Sequence, residues 1–167
     1  MIKITAILGP VILLLSACSE STRNIPTAQP ATDSIQQLVF GRFCGMCRGV
    51  CAPMYKVDYT RGQVFLDTTD SYFKNNGVVR FPEAALAPDA FAKVSRLAQT
   101  LPAVLRSSSD STFGCPDCAD GCGLYLEVTS TKGTGKFRID YQTENLEGAV
   151  KPYADSLRAV FLELYQR

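Results

Sequence analysis

Two cysteine runs of identical spacing are the residues in this chain best suited to chemistry. The first C-x-x-C-x-x-x-C run is Cys44, Cys47 and Cys51, and the second is Cys115, Cys118 and Cys122. Cysteine sulfur can form disulfides, bind soft metal ions or exchange electrons with other thiols. Each run stands just before a segment of alternating apolar residues, so we expect a strand after each run.

The N-terminus carries the pattern of an export signal. Lys3 is the only charged residue before Cys18, and an apolar run over residues 4–15 follows it. At about 12 residues, this run is too short to span a bilayer, but it fits the apolar region of a secretory signal. The string Leu15-Ser16-Ala17-Cys18 resembles the lipobox of bacterial lipoproteins.

This resemblance implies a processed and lipidated N-terminus. The signal peptide, residues 1–17, would be removed, and Cys18 would carry acyl chains, including palmitate, on its sulfur and its new amino group. Ser19 follows where Asp would favour inner-membrane retention, so the resemblance implies the outer membrane of a Gram-negative bacterium. Residues 18–34 are polar and rich in Ser, Thr and Pro, which predicts a flexible tether before a single domain at residues 35–167.

Composition and charge exclude several classes of function. The chain has no histidine, so a Ser-His-Asp triad or a Cys-His pair cannot form. Without Lys3, basic and acidic residues are equal in number, which argues against a nucleic-acid partner because such binders carry a basic stripe. The loop acids Asp67, Asp70, Asp117 and Asp120 do not match an EF-hand pattern, so we expect them to be solvated.

Disulfides are the first interpretation of the cysteine runs. Six cysteines, an even number, lie in a domain that is expected to be exported, where disulfides persist. A bond within one C-x-x-C would stabilise the fold by roughly 2 kcal/mol in the loop-entropy model. A bond between the runs would contribute roughly 4–4.5 kcal/mol. The spacing alone leaves both kinds of pairing open.

A zinc or other soft-metal site is the second interpretation. Cys44 with Cys47 and Cys115 with Cys118 have the spacing of zinc knuckles, and together they would supply four sulfur ligands. An oxidising compartment opposes this interpretation because it favours disulfides over free thiols. We therefore expect no cofactor, with zinc as the alternative.

Thiol–disulfide exchange is the third interpretation. The string Phe43-Cys44-Gly45-Met46-Cys47 resembles the active site of thioredoxin, in which an aromatic residue precedes C-G-P-C. If the chain is an oxidoreductase, this resemblance implies Cys44 as the attacking thiol and Cys47 as the resolving thiol. Arg42 and Arg48, which flank Cys44 and Cys47, would favour the thiolate form, whereas the second run contains aspartates.

The apolar pattern predicts an α+β fold. Strand patterns occupy residues 35–43, 55–59, 64–66, 78–81, 124–128 and 137–141. Helices are predicted at residues 89–105, where Pro102 marks a kink or an early stop, and at about 152–166. Each half reads as cysteine run, strand, turn, strand and helix. We therefore expect one antiparallel sheet with two helices on one face, built from a quasi-duplicated unit.

These observations favour a non-catalytic protein of the cell envelope. The expected function is that of a lipid-anchored binding or structural module held together by disulfides. Its partners would be the membrane, through Cys18, and a protein or small-molecule ligand that the sequence does not identify. A thiol oxidoreductase or a zinc protein built on the same cysteines is the alternative.

Overall fold

Six strands and three α-helices make up residues 34–166, the part of the chain that this computed structural model describes. The strands are β1 (Ile35–Cys44), β2 (Met54–Asp58), β3 (Gln63–Asp67), β4 (Ser111–Phe113), β5 (Cys122–Ser130) and β6 (Gly133–Asp140). The helices are α1 (Ser71–Lys74), α2 (Asp89–Val94) and α3 (Val150–Tyr165). The predicted signal peptide, Cys18 and nearly all of the tether lie outside the described residues.

The six strands form one sheet in the order β3-β2-β1-β5-β6-β4. Neighbouring strands are antiparallel except at one edge, where β4 runs parallel to β6. β1 is central because it pairs with β2 on one side and with β5 on the other. The predicted α+β class and the mainly antiparallel sheet are therefore confirmed.

One face of the sheet carries the main hydrophobic core. Side chains alternate between the two faces of a strand, so every second strand residue enters this core. The buried strand residues are Leu38, Phe40, Tyr55, Val57, Val64, Leu124, Leu126, Val128, Phe137 and Ile139. α2 and α3 cover them with Ala90, Val94, Tyr153, Ala154, Leu157, Phe161 and Leu164. Two helices on one face, as predicted, thus enclose the core.

The opposite face, which we call the open face, is covered only in part. α1 places Tyr72 against Phe43 and Tyr125. The centroid of the Tyr72 ring lies 5.5 Å from that of Phe43 and 5.1 Å from that of Tyr125. Val79 and Phe81 pack beside this smaller apolar cluster. Residues 78–81 lie close to the sheet without pairing into it, so the strand predicted there is wrong. The open face therefore keeps solvent-accessible positions beside this cover.

The helix predicted at residues 89–105 is wrong in its extent. α2 ends at Val94, and a separate 3₁₀ turn occupies Ala103–Arg106. Pro102 cannot donate a hydrogen bond to the carbonyl of Ala98, and its ring would clash with that carbonyl in a continuous helix. The guanidinium of Arg106 donates instead to the carbonyl oxygens of Ala98 and Leu101, at 3.1 Å each. The side chain therefore replaces the hydrogen bonds that a continuous helix would have made.

The order of elements repeats in the two halves, but the strand pairing does not. β1 pairs antiparallel with β2, whereas its counterpart β4 pairs parallel with β6. Both hairpins end in a buried aspartate, Asp67 at 2% and Asp140 at 5% exposure. Each Oδ1 accepts a hydrogen bond from the main-chain N–H two residues later, that of Thr69 or of Gln142. The repeat therefore extends to this turn, and the expectation that Asp67 is solvated is wrong.

Hydroxyl groups stabilise the ionised form of Asp67. Burial by itself would raise the pKa of Asp67, but hydrogen bonds from Ser71 and Thr69 outweigh it and hold the pKa below its usual value. The unfolded-state pKa is about 3.9. The ionised carboxylate therefore adds stability above that pH, and this contribution is lost as the pH falls through the folded-state pKa.

Asp67→Asn should lower the free energy of unfolding at neutral pH by about 1–3 kcal/mol, because Ser71 and Thr69 lose a charged acceptor. The difference from the wild type should shrink below about pH 4, because protonation destabilises only the wild type. Urea unfolding at neutral and acidic pH measures both effects. Glu144→Gln changes an exposed side chain and should stay within about 0.5 kcal/mol at both pH values. If the difference in unfolding free energy between Asp67→Asn and the wild type did not vary with pH, the lowered pKa of Asp67 would be contradicted.

Candidate functional site

One disulfide joins the two cysteine runs across the centre of the sheet. Cys44 at the end of β1 lies directly opposite Cys122 at the start of β5, and the two are disulfide-bonded with Cα atoms 4.3 Å apart. Antiparallel strands bring opposed Cα atoms to about 4.5 Å in their closer pairs, which suits a direct bridge. The bond links residues that are 78 positions apart in sequence.

The other two disulfides are local. Cys47 is bonded to Cys51 within the first run, and Cys115 is bonded to Cys118 within the second. The structure thus combines the two kinds of pairing that the spacing left open, since one bond joins the runs and two lie within them. All six cysteines of the described residues are consumed by these three bonds.

The observed pairing argues against both alternative uses predicted for Cys44, Cys47, Cys115 and Cys118, the redox pair of the first run and the zinc site. The proposed redox partners Cys44 and Cys47 belong to different disulfides, and Cys44 is only 3% exposed. The four sulfurs considered for zinc, which include Cys115 and Cys118, are all disulfide-bonded. Among residues 34–166, no three cysteine, histidine or acidic side chains gather in a way that could hold a metal ion.

Aspartate carboxylates hold the first run in place by accepting hydrogen bonds from its main-chain N–H groups, and one of these aspartates belongs to the second run. Oδ1 of Asp70 accepts hydrogen bonds from the N–H groups of Cys51 and Ala52, at 2.8 and 2.7 Å. Oδ1 of Asp117 accepts one from Gly45, at 2.8 Å, and so joins the second run to the first. The expectation of solvated loop acids is therefore incomplete for Asp70 and Asp117, because both are half-buried and their carboxylates also accept main-chain hydrogen bonds.

Asp140 fastens the start of the second run to the end of β6. Its Oδ2 accepts a hydrogen bond from the N–H of Cys115 at 3.1 Å and another from Nδ2 of Asn145 at 3.3 Å. Gly123 brings the same run close to β5, because a Cβ at that position would lie 2.8 Å from Cβ of Pro116. The position of the second run thus depends on non-covalent contacts as well as on its disulfide.

A polar cavity lies on the open face beside Tyr72. It has a volume of about 460 Å³. Its lining includes Tyr72, Asn76, Asp110, Ser111, Thr112, Tyr125, Lys136 and Arg138. A neighbouring cavity of about 360 Å³ shares Lys136 and extends to β1 and β2. The volume of the first cavity falls within the range of about 300–1,000 Å³ that is typical of small-ligand sites.

Strand register places an arginine in the lining of this cavity, between two other lining residues. Arg138 of β6 lies opposite Tyr125 of β5 on one side and Thr112 of β4 on the other. It is exposed and also borders the adjoining pocket that contains Phe73. Among the described residues, no hydrogen bond or ion pair engages its guanidinium group. Its five N–H donors are therefore available to a ligand.

The neighbours of Arg138 are held in place by their own contacts. The hydroxyl of Tyr125 donates to Oε2 of Glu127 at 2.7 Å. Burial is the main cause that raises the pKa of Tyr125, and the carboxylate of Glu127 raises it further, so the hydroxyl stays protonated. Glu127 also lies 3.9 Å from Nζ of Lys136. The main-chain N–H of Lys136 donates to Oδ1 of Asp110 at 3.0 Å. The cavity thus has fixed walls around an unpaired cation.

Sequence reasoning missed this cavity, although one signal was present. The alternation of Phe137 and Ile139 predicts a core-facing strand, so the intervening Lys136 and Arg138 must lie on the other face. What the pattern does not show is that β4 and the turn after α1 border that face. Thr112 and Asn76 reach the cavity only through the tertiary fold.

Comparison with protein families, curated proteins and solved structures finds no match for this chain. Within the described residues, no helix is both long and apolar enough to cross a membrane. The fold and the site therefore define a class, a disulfide-stabilised α+β domain with a polar cavity on one sheet face.

The two kinds of disulfide should differ in their contributions to stability. Replacing Cys44 and Cys122 by alanine should lower the free energy of unfolding by about 4 kcal/mol, because the bond closes a long loop. The Cys115–Cys118 bond closes a much shorter loop. Its removal by Cys115→Ser with Cys118→Ser should therefore lower the free energy of unfolding by about 2 kcal/mol or less. Urea unfolding of both double variants measures the difference, and equal losses would contradict this ranking.

Proposed function

We propose that this chain is a lipid-anchored cell-envelope protein whose domain is a non-catalytic binding module. The lipobox resemblance at Leu15-Ser16-Ala17-Cys18 supports the anchor. The three disulfides fit an exported domain, because such bonds persist in oxidising compartments. The cavity on the open face is the proposed binding site, and its ligand is a small molecule or a peptide end that carries a carboxylate.

The single observation that carries this proposal is the unpaired guanidinium of Arg138 within a formed cavity. A guanidinium presents a planar fork of donors that matches the two oxygens of a carboxylate. Lys136 lies in the same cavity, but its ammonium group is paired with Glu127 at 3.9 Å. Arg138 is therefore the cation of this cavity that is left to meet an anion.

The other lining groups suit the remainder of such a ligand. Ser111 and Thr112 offer hydroxyl groups that can donate or accept. Asp110, which also lines the cavity, disfavours a second negative charge on the ligand through like-charge repulsion. A single carboxylate beside a polar group therefore fits better than a polyanion.

Arg138→Ala should weaken binding of a carboxylate ligand by about tenfold or more, because a charge-assisted hydrogen-bonded pair is lost. The probe is a short peptide with a free C-terminal carboxylate, titrated into ¹⁵N-labelled protein and followed by amide chemical shifts. The same peptide with an amidated terminus should not bind. Arg48→Ala is the matched control, since Arg48 is exposed in the first cysteine run and should leave the affinity within about twofold.

The outcomes of this titration separate the binding role from a structural one. Shifts confined to Tyr125, Arg138 and Thr112 that depend on the free carboxylate would support the proposed site. Equal shifts with both peptides, or none with either, would refute the ligand class. Shifts elsewhere that survive Arg138→Ala would place binding on another surface.

Cys18→Ser should release the protein from the membrane fraction when it is expressed in a Gram-negative host, because acyl chains on that residue provide the anchor. Ser21→Ala is the control and should remain membrane-bound. Fractionation with mass spectrometry of the N-terminal peptide measures both location and lipidation. Membrane association of the Cys18→Ser protein would refute the proposed anchor.

A further inference from the structure

The three disulfides differ in their access to solvent. Cys115 and Cys118 are both exposed, whereas Cys44 is 3% exposed and its partner Cys122 is half-buried. Exchange requires a thiolate to reach one sulfur of the bond, so access limits which disulfide can react. The bond between the sheet strands is therefore protected, and the bond within the second run is accessible.

The Cys115–Cys118 bond is also not the main fastening of its segment. It spans only three positions in sequence, and the entropic stabilisation from a disulfide falls with the length of the loop that it closes. Hydrogen bonds from Cys115 to Asp140 and from Gly45 to Asp117 hold the same segment in place. Opening the bond can therefore leave the surrounding fold intact.

The backbone around this bond occupies an unfavourable conformation. Asp117, Ala119 and Asp120 have φ angles of 64°, 51° and 58°, in the left-handed region. Asp tolerates this region, but Ala119 has no side-chain hydrogen bond to compensate for the clash of its Cβ. Such strain persists only where the surroundings impose it, and it is concentrated at functional sites. Asp117 lies inside the loop that the disulfide closes and Ala119 directly follows it, so opening the bond would give this backbone more freedom to relax.

A cavity of about 250 Å³ gives a thiol compound room to approach the bond. Cys115 and Cys118 lie in its wall, together with Asp140, Gln142 and Asn145. These polar groups suit the amide groups of a peptide chain, which need hydrogen-bond partners when they lose water. The first run offers a useful comparison, because Cys47–Cys51 is partly exposed but its left-handed residue is a glycine, Gly49 at φ 85°.

We propose that Cys115–Cys118 is a thiol–disulfide exchange site that reacts with peptide thiols. A peptide thiolate attacks one sulfur, forms a mixed disulfide with it and releases the other cysteine as a thiolate. A second peptide thiolate attacks the peptide sulfur of the mixed disulfide and releases the remaining cysteine. Two electrons pass to Cys115 and Cys118, the two protons of the peptide thiols end on them, and the peptide forms its own disulfide. This exchange consumes the disulfide once and is not a catalytic cycle, so it adds to the proposed binding role and does not depend on the cavity of the open face.

The structure thereby moves the redox site from the first cysteine run to the second. The C-x-x-C of the first run, Cys44 and Cys47, is not a disulfide, whereas that of the second run is. The arginine at position 42 does not change this, because its guanidinium lies 6.0 Å from the centre of the Phe161 ring. Access and pairing therefore outweigh the local charge that favoured the first run.

Reduced glutathione serves as the probe, added to the full-length protein in detergent under native conditions. Aliquots are acidified, free thiols are alkylated, and peptide mass mapping follows each cysteine over time. Cys115 and Cys118 should become labelled about tenfold faster than Cys47 and Cys51, because the backbone beside the former pair is strained. Access contributes less to the difference, since Cys47 is also exposed and only Cys51 is half-buried. Cys44 and Cys122 should stay unlabelled, with the circular dichroism spectrum unchanged. Equal or faster opening of Cys47–Cys51, or joint labelling of all six cysteines, would overturn the proposal.

A second variant tests the contribution of the strained backbone. Glycine adopts a φ near 51° without a steric penalty, so Ala119→Gly should slow the labelling of Cys115 and Cys118 by about threefold or more. The labelling rate of Cys47 and Cys51 in the same molecule is the internal control and should not change. An unchanged rate at Cys115 and Cys118 would refute the role of backbone strain in this site.

Discussion

The pairing of β1 with β5, closed by the Cys44–Cys122 disulfide, is the interaction on which the rest of the structure depends. These strands join the half that contains the first cysteine run to the half that contains the second, and their register ends at the two bonded cysteines. Every other disulfide is local. Because this bond closes the longest loop of the three, it restricts the unfolded chain more than the other two do. The sheet, its two faces and the meeting of both runs follow from it.

The unequal cover of the two sheet faces assigns different roles to them. α2 and α3 bury one face in a continuous core, where aromatic and aliphatic side chains exclude water. The other face receives only α1 and residues 78–81, which leave Arg138 exposed beside Tyr125 and Thr112. A charged side chain that finds no partner within its own domain is free to meet one from outside. The proposed binding role therefore rests on incomplete cover, and the stability of the domain rests on the opposite face.

Local patterns predicted elements better than they predicted their limits. Apolar periodicity predicted β1, β2, β3, β5, β6 and α3 within a few residues, because each buries one stripe of side chains. It did not predict β4, and the strand predicted at residues 78–81 is wrong. The helix at 89–105 failed because burial of Leu97, Leu101 and Leu105 requires only that they reach the core, which turns achieve as well as a helix. The prediction for the loop aspartates missed their main-chain contacts for a different reason. Asp70 and Asp117 look like solvated loop residues until the main-chain groups of a distant segment are brought against them.

The sequence by itself determined the α+β class, the two helices on one face and the even set of cysteines in a domain expected to be exported. These depend on periodicity and composition, which are local properties. The tertiary structure alone decided which cysteines pair, because C-x-x-C spacing permits local and cross-strand bonds and only strand register places Cys44 opposite Cys122. It also decided which runs are accessible and which cation is unpaired. Those properties depend on neighbours that are distant in sequence, and a linear pattern does not contain them.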